Sequence, residues 1–303
     1  MANESVNSNR NFLFLLNPIS GGGKTASLPE IIRQQLQPLS IPYYIQHTPK
    51  DNDYSDILHV IKKDQITDVI ICGGDGTINA VINHLRDDKL RFGIIPSGSG
   101  NGLALAAGIS LNIKKALKVI LRGKTIDADA IDINGRLSCM VFGTGFDAHV
   151  SHEFNRSKRR GFFLYAWLTL KNLFSMKSFF VDIVTNGDIM PMKVVMICAA
   201  TGNQFGNRFT IAPKASLDDG LMDLIIVKKM TVMAFITRVL YHLKWGRPSA
   251  SFNKDRSVIY WQGSSIRIYN PYFAPAHFDG DTCETSPEWD MEVVKGAYKL
   301  IVP

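Results

Sequence analysis

Apolar and polar residues alternate along the chain in two different ways, and the change between them falls near residue 125. Up to about Gly123, short apolar runs are separated by longer stretches in which apolar residues recur at helical spacing. The run Phe12–Leu16 contains no polar residue, which is typical of a strand covered on both faces. Repeated strand–helix units of this kind predict a doubly wound, mostly parallel sheet of the α/β class. The predicted elements are strands at Phe12–Leu16, Tyr43–His47, Val69–Cys72 and Arg91–Ile95, and helices at Leu28–Leu36, Asp53–Lys63, Thr77–Arg86 and Lys114–Leu121.

After Gly123 the pattern changes to short β-like segments separated by turn residues, which is typical of an antiparallel sandwich or barrel. Helical spacing interrupts this pattern twice, at Phe162–Phe174 and Val232–Leu243. We therefore predict a polar tail over residues 1–10, an α/β domain over 11–125 and an antiparallel β-sandwich domain over 126–303. The β-like segments are Leu137–Phe142, Phe180–Thr185, Lys193–Ala199, Leu221–Val227, Ser257–Tyr260, Ile266–Tyr269 and Tyr298–Val302.

Composition and charge narrow the class of protein. The 303 residues are 46% hydrophobic and 20% charged, which suits globular domains. A net charge of +7 suits anionic partners such as nucleotide phosphates, nucleic acid or an acidic membrane, although ordinary solubility charge explains it equally well. Four widely spaced cysteines indicate a reducing cytoplasm rather than disulfides or zinc. The polar N-terminus predicts no signal peptide, and no uncharged run predicts a transmembrane helix.

The first of three glycine-rich loops follows the first predicted strand and reads Asn17-Pro18-Ile19-Ser20-Gly21-Gly22-Gly23-Lys24-Thr25. Its ending suggests a P-loop, but Pro18 stands where the first glycine is required, so the Walker spacing is absent. Backbone N–H groups, a hydroxyl and a lysine before a helix N-terminus still form a natural phosphate cradle. An ordinary glycine turn is the alternative.

The second loop follows the third predicted strand and places Asp75 among Gly73, Gly74 and Gly76. The glycines let the backbone approach a ligand closely. A carboxylate repels phosphate, so we predict that Asp75 binds Mg²⁺, whose charge bridges it to the phosphates. A helix carrying Asn79 begins nearby, where Thr77 caps it or bonds phosphate. A simple Asp-Gly turn is the alternative.

The third loop, Pro96–Ala104, again places glycines and hydroxyls between a strand and a helical segment. Three such loops at the carboxyl edge of one parallel sheet predict a nucleotide phosphate site, and they favour ATP over NAD because a dinucleotide fold usually needs only one. The later run Gly143–Ala148 fits a dinucleotide motif without the acidic residue that takes the ribose, so we interpret it as a turn. The loop residues assigned to the nucleotide are Gly73, Asn79, Ser97, Gly98 and Asn101.

Taken together, the motifs resemble the diacylglycerol-kinase catalytic family of lipid kinases, which includes bacterial diacylglycerol kinases and sphingosine and ceramide kinases. The resemblance runs from Asn11 to the end of the chain. A GGDGT loop alone is less specific, because NAD kinases and phosphofructokinases carry a similar one. The motifs, in family order, are NPISGGGK (17–24), GGDGTINAVIN (73–83), PSGSGNGLA (96–104), APKASLDDGLMDL (212–224) and FDGD (278–281).

The resemblance implies a nucleotide-binding α/β domain and a C-terminal β-sandwich with the active site in the cleft between them. It implies that Asp281 is the general base on the lipid hydroxyl, that Asp127 belongs to a metal–water network near the phosphates, and that Asp75 is catalytic. It also implies a second, structural Mg²⁺ site formed by the Asp219 carboxylate and the carbonyls of Ser216 and Leu221, where Asp218-Asp219-Gly220 is equally a good β-turn. The nucleotide-binding positions that match are Asn17, Ser20, Gly21, Lys24, Thr48, Gly74, Asp75, Gly76, Thr77 and Ser99.

Two departures from the family pattern concern the third loop and the chain end. Many bacterial diacylglycerol kinases have Asn-Asp where this chain has Asn101-Gly102, and the form found here is similar to that of sphingosine kinases. Asp129 or Asp147 could supply the missing carboxylate. Because the chain stops at Pro303, we also expect it to lack the C-terminal return to the first domain that some relatives have.

Membrane contact is expected of a lipid kinase, and one segment suits it. The basic run 156–160 is followed by the aromatic stretch 161–167, a composition that fits a lipid headgroup region; a core helix with a basic cap is the alternative. His149, His152 and Glu153 share a helical face but lack a third metal ligand, so we interpret them as surface or cleft side chains.

The reading that follows is an ATP- and Mg²⁺-dependent kinase that phosphorylates a hydroxyl of a membrane lipid, either diacylglycerol or a sphingoid base. It would be cytoplasmic and peripherally attached to an anionic membrane, compatible with a homodimer, and without nucleic-acid partners because no reading helix or RNP-like strand is present. A soluble-substrate kinase of the NAD-kinase type and a catalytically silent lipid- or nucleotide-binding protein are the alternatives.

Overall fold

The computed structural model describes residues 10–21, 27–87, 89–157, 161–185, 187–204, 210–248 and 256–303. Lys24 and the basic positions 158–160 therefore lie outside the described residues. The chain divides into two compact units. The first comprises residues 1–128 and 296–303, and the second comprises residues 129–295.

The first unit is built on a parallel sheet in which β1 lies between β2 and β3, and β4 pairs with the far side of β3. This order places a topological switch point at β1 and β3, where ligands of open α/β sheets bind at the carboxyl ends of the strands. A 3-10 turn at Gln37–Leu39 follows the first helix. The elements are β1 (Phe12–Leu16), α1 (Leu28–Leu36), β2 (Tyr43–His47), α2 (Ser55–Lys63), β3 (Asp68–Gly73), α3 (Asp75–Leu85), β4 (Arg91–Pro96), α4 (Gly102–Ala106) and α5 (Ile113–Arg122).

The core of the first unit explains why these segments become strands and helices. Every residue of β1 and β3 is buried, as continuous apolar strands between two helical layers require. On α1 the side chains of Leu28, Ile32 and Leu36 recur at helical spacing and pack into the same core as Phe14. At the edge of this core, the buried carboxylate of Asp68 accepts hydrogen bonds from Arg10 and Arg91, which satisfies its charge.

The end of the chain returns to the first unit. The last strand, β15 (Glu288–Ile301), runs parallel to β4 at its C-terminal end, where Lys299 pairs with Arg91 and Leu300 with Phe92. Phe92 and Tyr298 also make an edge-to-face ring contact. The expectation that the chain lacks this return is therefore wrong, because the apolar run that ends the sequence completes a buried edge of the sheet.

In the second unit the described strands pair antiparallel. Its core contains Ile183, Ile197, Ile226 and Met291, contributed by different strands. The predicted fold class, an α/β domain followed by an antiparallel β-sandwich domain, is confirmed. The elements are β5 (Thr125–Ile133), β6 (Arg136–Ser138), β7 (Val141–Gly145), α6 (Phe146–Arg156), α7 (Phe162–Leu173), β8 (Phe179–Thr185), β9 (Asp188–Ala200), β10 (Met222–Lys228), α8 (Val232–Trp245), β11 (Val258–Gly263), β12 (Ser265–Tyr269), β13 (Ala276–Phe278) and β14 (Asp281–Thr282).

Two predicted boundaries differ from the structure for identifiable reasons. The single strand predicted over residues 137–142 is divided into β6 and β7, because the N–H groups of Cys139 and Met140 donate to a side chain instead of a neighbouring strand. The run Gly143–Ala148 is not a turn but the junction of β7 with α6. Among the described residues, no helix combines the length and the apolar character needed to cross a membrane.

Candidate active site

The described parts of the three glycine-rich loops lie side by side at the carboxyl edge of the parallel sheet in the first unit. They leave β1, β3 and β4, which are direct neighbours. The backbone hydrogen bonding between these strands continues into the loops, since Asn17 N donates to Cys72 O at 3.0 Å and Ser97 N donates to Gly73 O at 3.0 Å. On the other side of β1, Thr48 N donates to Leu16 O at 3.0 Å. The described ends of the three loops are thus collected at one edge of the sheet.

Two of the glycines are required by the packing of the loops against each other. A Cβ atom at Gly98 would lie 2.4 Å from the Cα of Gly74, and one at Gly74 would lie 3.0 Å from the Cα of Gly98. Because both obstacles are backbone atoms, neither loop could accept a larger residue without moving. At Gly73 a Cβ would instead lie 2.6 Å from the Thr77 side chain.

Asn17 joins the first loop to the second. Its amide Nδ2 donates to the Thr77 hydroxyl at 2.8 Å, and its Oδ1 accepts from Ile19 N at 3.1 Å. Thr77 lies in the first turn of α3, whose N-cap is Gly74 in an extended conformation with no side-chain cap. The N-terminus of an α-helix carries partial positive charge and N–H groups without intrahelical acceptors, so this end of α3 suits a phosphate.

Asp75 has a structural role that its sequence context does not reveal. Its Oδ2 accepts from Gly102 N at 3.0 Å and its Oδ1 accepts from Leu103 N at 3.1 Å, so the carboxylate caps the short helix α4. The residues are 27 and 28 positions apart, and no local pattern predicts the contact. Each carboxylate oxygen has two lone pairs, so the predicted interaction with Mg²⁺ remains compatible with this capping role.

The third loop is closed by Asn101, which adopts a left-handed conformation with φ of 53°. Its Oδ1 accepts from Gly98 N at 2.8 Å and its Nδ2 donates to Gly98 O at 2.9 Å. Asparagine tolerates this backbone conformation better than most residues. Ser97 and Ser20 face each other across the loops, with their hydroxyl oxygens 3.5 Å apart.

The other residues predicted to bind the nucleotide or its metal ion lie in different environments. Asn79 is buried in α3, and its carbonyl and amide oxygens accept from the Asn83 side chain at 2.9 and 3.1 Å. Asp127, predicted in a metal–water network, has a 67% exposed side chain and pairs with Lys299 Nζ at 2.8 Å. Gly21 has a positive φ, and Gly76 lies in the first turn of α3. Ser99 lies in the third loop after β4.

In the second unit, the predicted general base Asp281 is exposed at the start of β14. It pairs with Phe278 across a tight hairpin whose two turn residues, Asp279 and Gly280, have φ values of 50° and 89°. Two consecutive residues with positive φ define the type I′ turn, for which Asp-Gly is a preferred sequence. The FDGD motif is therefore a hairpin that presents its last carboxylate outward.

Asp279, the first carboxylate of this motif, anchors the hairpin. Its side chain is buried, and its Oδ1 accepts from the Ser138 hydroxyl, Met140 N and Val141 N at 2.8, 3.0 and 2.8 Å. Its Oδ2 accepts from Cys139 N at 2.9 Å. Sequence reasoning missed this role, since the donors lie about 140 residues away in the chain, although an Asp-Gly turn was a local signal for the hairpin.

Asp219, at the centre of the predicted structural metal site, interacts electrostatically with three other carboxylates, those of Asp129, Asp218 and Asp223. Asp219 Oδ1 accepts from Leu221 N at 3.0 Å, and Asp129 Oδ2 accepts from Gly220 N at 2.6 Å. Burial, with the charges of Asp129 and Asp218 adding to it, raises the pKa of Asp219. Asp223 is fully buried and burial raises its pKa to about 6, while its Oδ1 has no hydrogen-bond partner among the described residues.

These features fit a cation, which would relieve the mutual repulsion of the carboxylates. Ser216 lies in the same turn region, and its hydroxyl donates to Asp218 at 2.8 Å. Within the described ranges, no three His, Cys, Asp or Glu side chains converge as a metal-binding group. The predicted donor set is of another kind, with one carboxylate and two main-chain carbonyls.

Helix α7 carries the aromatic part of the segment for which membrane contact and a core helix are the two alternatives. Leu168 and Leu173 are buried, but Phe163, Trp167 and Phe174 are 88%, 57% and 85% exposed. Together with Leu170, which is also exposed, these three side chains recur at helical spacing and form an apolar stripe. A core helix would bury such a stripe, and exposed apolar patches of this kind are typical of interaction surfaces, so membrane contact stays a prediction.

Within the described residues, His149, His152 and Glu153 do not converge as a metal-binding group. Glu153 accepts from Asn172 at 2.9 Å and pairs with Lys171 at 3.3 Å, so it fastens α6 to α7. His152 Nε2 lies 2.9 Å from Ala276 O, and His149 is exposed beside Glu153. Asp129 and Asp147, considered as replacements for a loop carboxylate, are both buried and both have partners within the second unit.

Comparison with known proteins gives the same assignment for both parts of the chain. The family described as diacylglycerol kinase catalytic domain matches residues 11–133, and the YegS C-terminal NAD kinase beta sandwich-like domain matches residues 140–302. A diacylglycerol kinase of Bacillus subtilis strain 168 is 26% identical over 275 residues, covering 88% of each protein. A diacylglycerol kinase of Staphylococcus carnosus is 28% identical over 218 residues, covering 70% of this chain and 69% of its own length.

Solved structures agree with this at the level of the fold. A crystal structure of a diacylglycerol kinase from Bacillus anthracis strain Sterne has a TM-score of 0.74 at 20% identity and covers 97% of both chains. A second structure from that strain reaches 0.81 at 21% identity, covering all of this chain and 98% of the other.

The predicted family and the predicted enzyme class, a phosphotransferase with an alcohol acceptor, are confirmed. The chain belongs to the diacylglycerol-kinase catalytic family, with a YegS-type β-sandwich as its second domain.

Proposed function

We propose that this protein transfers the γ-phosphate of ATP to a hydroxyl of a membrane lipid, with diacylglycerol or a sphingoid base as the acceptor. The observation that carries the proposal is the collection of three phosphate-type loops at the switch point of the parallel sheet, next to the N-terminus of α3. A nucleotide triphosphate presents the negative charge and the acceptor oxygens that such an edge binds.

On this proposal the residues of the first unit bind and orient the nucleotide. The N-terminus of α3 and the Thr77 hydroxyl face the phosphates, and Asn17 keeps Thr77 in place. Asp75 would hold Mg²⁺ while its oxygens keep the third loop folded through α4. When bound, the metal ion would neutralise charge on the transferring phosphoryl group. Most of the catalytic effect in such reactions comes from positioning and from electrostatic stabilisation.

Asp281 would accept the proton of the lipid hydroxyl as that oxygen attacks the γ-phosphorus. The bond from the γ-phosphorus to its bridging oxygen breaks, and ADP leaves with the electron pair of that bond. An exposed carboxylate directly after a two-residue hairpin turn suits this role, because it can reach the substrate while its backbone is paired with the neighbouring strand.

The matched variants Asp281→Asn and Asp281→Glu test the role of the base. Asparagine cannot take a proton, so we expect kcat for lipid phosphorylation to fall at least about 100-fold while the Kd for ATP stays within about twofold. Glutamate keeps the base and should retain measurable turnover. Equal loss of transfer and of ATP binding in Asp281→Asn would argue against the proposed role.

The apolar stripe of α7 supports a lipid acceptor over a soluble one. Basic residues precede this helix in the sequence, and aromatic side chains next to basic residues suit the headgroup region of an anionic membrane. The structure shows the α7 stripe exposed within the second unit. We therefore propose peripheral membrane attachment through α7.

The double variant Phe163→Glu/Phe174→Glu tests this attachment. Burying one Phe contributes about 1.5–3 kcal/mol, so we expect binding to anionic vesicles to weaken at least about tenfold in a sedimentation assay. Turnover of a short-chain, monomeric diacylglycerol should be unchanged. Leu39→Glu, which replaces an exposed apolar residue of the first unit, is the matched control. Vesicle binding unaffected by the double variant would favour a soluble substrate.

The Asp219 site is proposed to hold a structural Mg²⁺ through the Asp219 carboxylate and the Ser216 and Leu221 carbonyls. The raised pKa of Asp219 supports this assignment, as does Asp223 Oδ1, for which the described part of the chain offers no hydrogen-bond partner. We expect Mg²⁺ to raise the unfolding temperature of the wild-type protein, and to do so less for Asp219→Asn. An identical increase in both proteins would refute this site.

A further inference from the structure

Behind the hairpin that carries Asp281, the second unit contains a buried polar group centred on His277. This residue lies on β13, three positions before the turn glycine Gly280, and its side chain is fully buried. A buried imidazole needs partners for both ring nitrogens. The two partners found here differ in kind, and that difference determines the state of the ring.

The ring of His277 is held in one tautomer. Its Nδ1 lies 3.2 Å from Gly280 N, and its Nε2 lies 3.2 Å from Asp147 Oδ2. A backbone N–H can only donate, so Nδ1 must be the unprotonated nitrogen and Nε2 must carry the proton that is donated to Asp147. His277 therefore links the backbone of the turn to a buried carboxylate.

The carboxylate of Asp147 is itself fixed. Its Oδ2 also accepts from the Cys198 thiol at 3.0 Å, and burial together with Asp147 raises the pKa of that thiol, so it stays protonated and can donate. Its Oδ1 has no hydrogen-bond partner in the described part of the chain. A Cβ at Gly143, on the neighbouring strand, would lie 1.9 Å from Asp147 Oδ2 and 2.5 Å from His277 Nε2. The sequence thus leaves space for this pair at a position where another residue would displace it.

Gly280 is held from its other side by α6. Ser151 Oγ donates to Gly280 O at 2.6 Å, and Asn155 Nδ2 donates to the same oxygen at 2.8 Å. That oxygen belongs to the peptide bond that joins Gly280 to Asp281. Both main-chain polar groups of Gly280 are therefore fixed by side chains, and one of these side chains is His277. The peptide plane directly before the proposed base has little freedom to rotate.

We propose that His277 is a positioning residue which, oriented by Asp147, fixes the hairpin turn and thereby aims the carboxylate of Asp281 at the acceptor hydroxyl. The inference rests on the proposed function for its catalytic readout. Misplacement of a reacting group by about 1 Å can lower a rate by about 100-fold, so a turn held at two atoms is worth a large part of kcat. His277 itself touches neither lipid nor nucleotide in this scheme.

Two substitutions separate the two contacts of the ring. His277→Asn keeps an acceptor, Oδ1, near the position of Nδ1 for Gly280 but does not reach Asp147. His277→Gln keeps a donor, Nε2, near the position that faces Asp147 but offers Gly280 no acceptor. If His277 acts by positioning the turn, His277→Gln should lower kcat by about 10- to 100-fold, and His277→Asn should lower it less. The KM for ATP should stay within about twofold of the wild-type value in both variants. If the buried pair is only structural, the two variants should lose activity equally or Asn should lose more, which would overturn the proposal.

A second measurement does not depend on catalysis. Amide hydrogen exchange followed by NMR on the full chain should show faster exchange at Gly280 in His277→Gln than in the wild-type protein or in His277→Asn. The imidazole nitrogens of His277 in the wild-type protein should show the Nε2-protonated tautomer. Unchanged exchange at Gly280 in His277→Gln, or the opposite tautomer, would overturn the proposal even if no lipid is phosphorylated.

The double variant Ser151→Ala/Asn155→Ala tests the same role of the turn if the His277 variants do not fold. It removes both donors to Gly280 O without leaving a buried charge unpaired, and we expect it to lower kcat in the same direction with an unchanged KM for ATP. Wild-type kcat in this variant would contradict the positioning role of the turn. A wild-type protein that binds ATP but phosphorylates no lipid would contradict the proposed function instead, and the exchange experiment would then decide the role of His277.

Discussion

The anchor of the FDGD hairpin gives the sharpest structural prediction, because one side chain satisfies four buried donors. The carboxylate of Asp279 accepts from the Ser138 hydroxyl and from three successive backbone N–H groups, Cys139 to Val141. Asp279→Ala leaves all four donors without an acceptor, and each orphaned buried group costs about 1–3 kcal/mol. Alanine at a φ of 50° adds about 1–2 kcal/mol of backbone strain. Even at the lower end, the second unit should lose about 5 kcal/mol of stability.

Asp279→Asn is the matched control. Its Oδ1 can keep the three donors that now bond Oδ1, and asparagine tolerates a positive φ. Only the contact with Cys139 N is replaced, by an amide that also donates, so we expect a loss of about 1–3 kcal/mol. The ratio of the stability losses in Asp279→Ala and Asp279→Asn is therefore a stricter test than either loss alone.

Urea unfolding of the full chain, followed by tryptophan fluorescence, measures this effect selectively. All four tryptophans, at positions 167, 245, 261 and 289, belong to the second unit, so the signal reports its unfolding. The urea concentration at the unfolding midpoint should be strongly lowered in Asp279→Ala and moderately lowered in Asp279→Asn. A wild-type midpoint in Asp279→Ala, or equal losses in both variants, would refute the reasoning.

Three further predictions concern the loops and the pH dependence of stability. Gly98→Ala places a Cβ against the Cα of Gly74, so ATP binding measured by calorimetry should weaken at least about tenfold while the tryptophan unfolding midpoint stays constant; wild-type ATP affinity would contradict the packing account. In Mg²⁺-free buffer, Asp75→Ala should speed amide exchange at Gly102 and Leu103, because loss of a helix cap costs about 0.5–2 kcal/mol; unchanged exchange would refute the cap. Burial lowers the pKa of His242 below the ordinary histidine value of about 6.5. Between these two pKa values the unfolded chain binds more protons than the folded one, so the free energy of unfolding should fall as the pH drops below about 6.5. His242→Gln should flatten this slope, and an unchanged slope would assign it to other groups.

The elements that sequence predicted best are those set by local signals. Phe12–Leu16 and Leu28–Leu36 form with the predicted bounds, since one is a continuous apolar run and the other has an apolar residue on every turn. Helix α3 begins at Asp75, two residues before the predicted start, because Gly74 serves as an N-cap without a side chain, which leaves no recognisable capping signal. The family motifs predicted where the candidate nucleotide and base residues would lie along the chain.

The contacts that shape the site could not be predicted in this way, because they join residues distant in sequence. Asp75 caps a helix 27 positions later, and Asp279 binds N–H groups about 140 positions earlier. The close approach of Gly74 and Gly98 depends on the pairing of β3 with β4, whereas sequence reasoning considered only the contact of these glycines with a ligand, which stays a prediction. The return of β15 to the first unit was missed because a terminal apolar run does not show which sheet it joins.

The most direct test of the central claim is transfer of label from γ-labelled ATP to lipid. The purified full chain would be incubated with Mg²⁺ and separate anionic vesicles containing diacylglycerol, monoacylglycerol, sphingosine or ceramide. We predict label in the extracted diacylglycerol or sphingosine fraction, and none without Mg²⁺. Bound ATP with no label in any lipid would contradict a lipid kinase and favour a soluble acceptor, whereas absence of ATP binding would favour a catalytically silent binding protein.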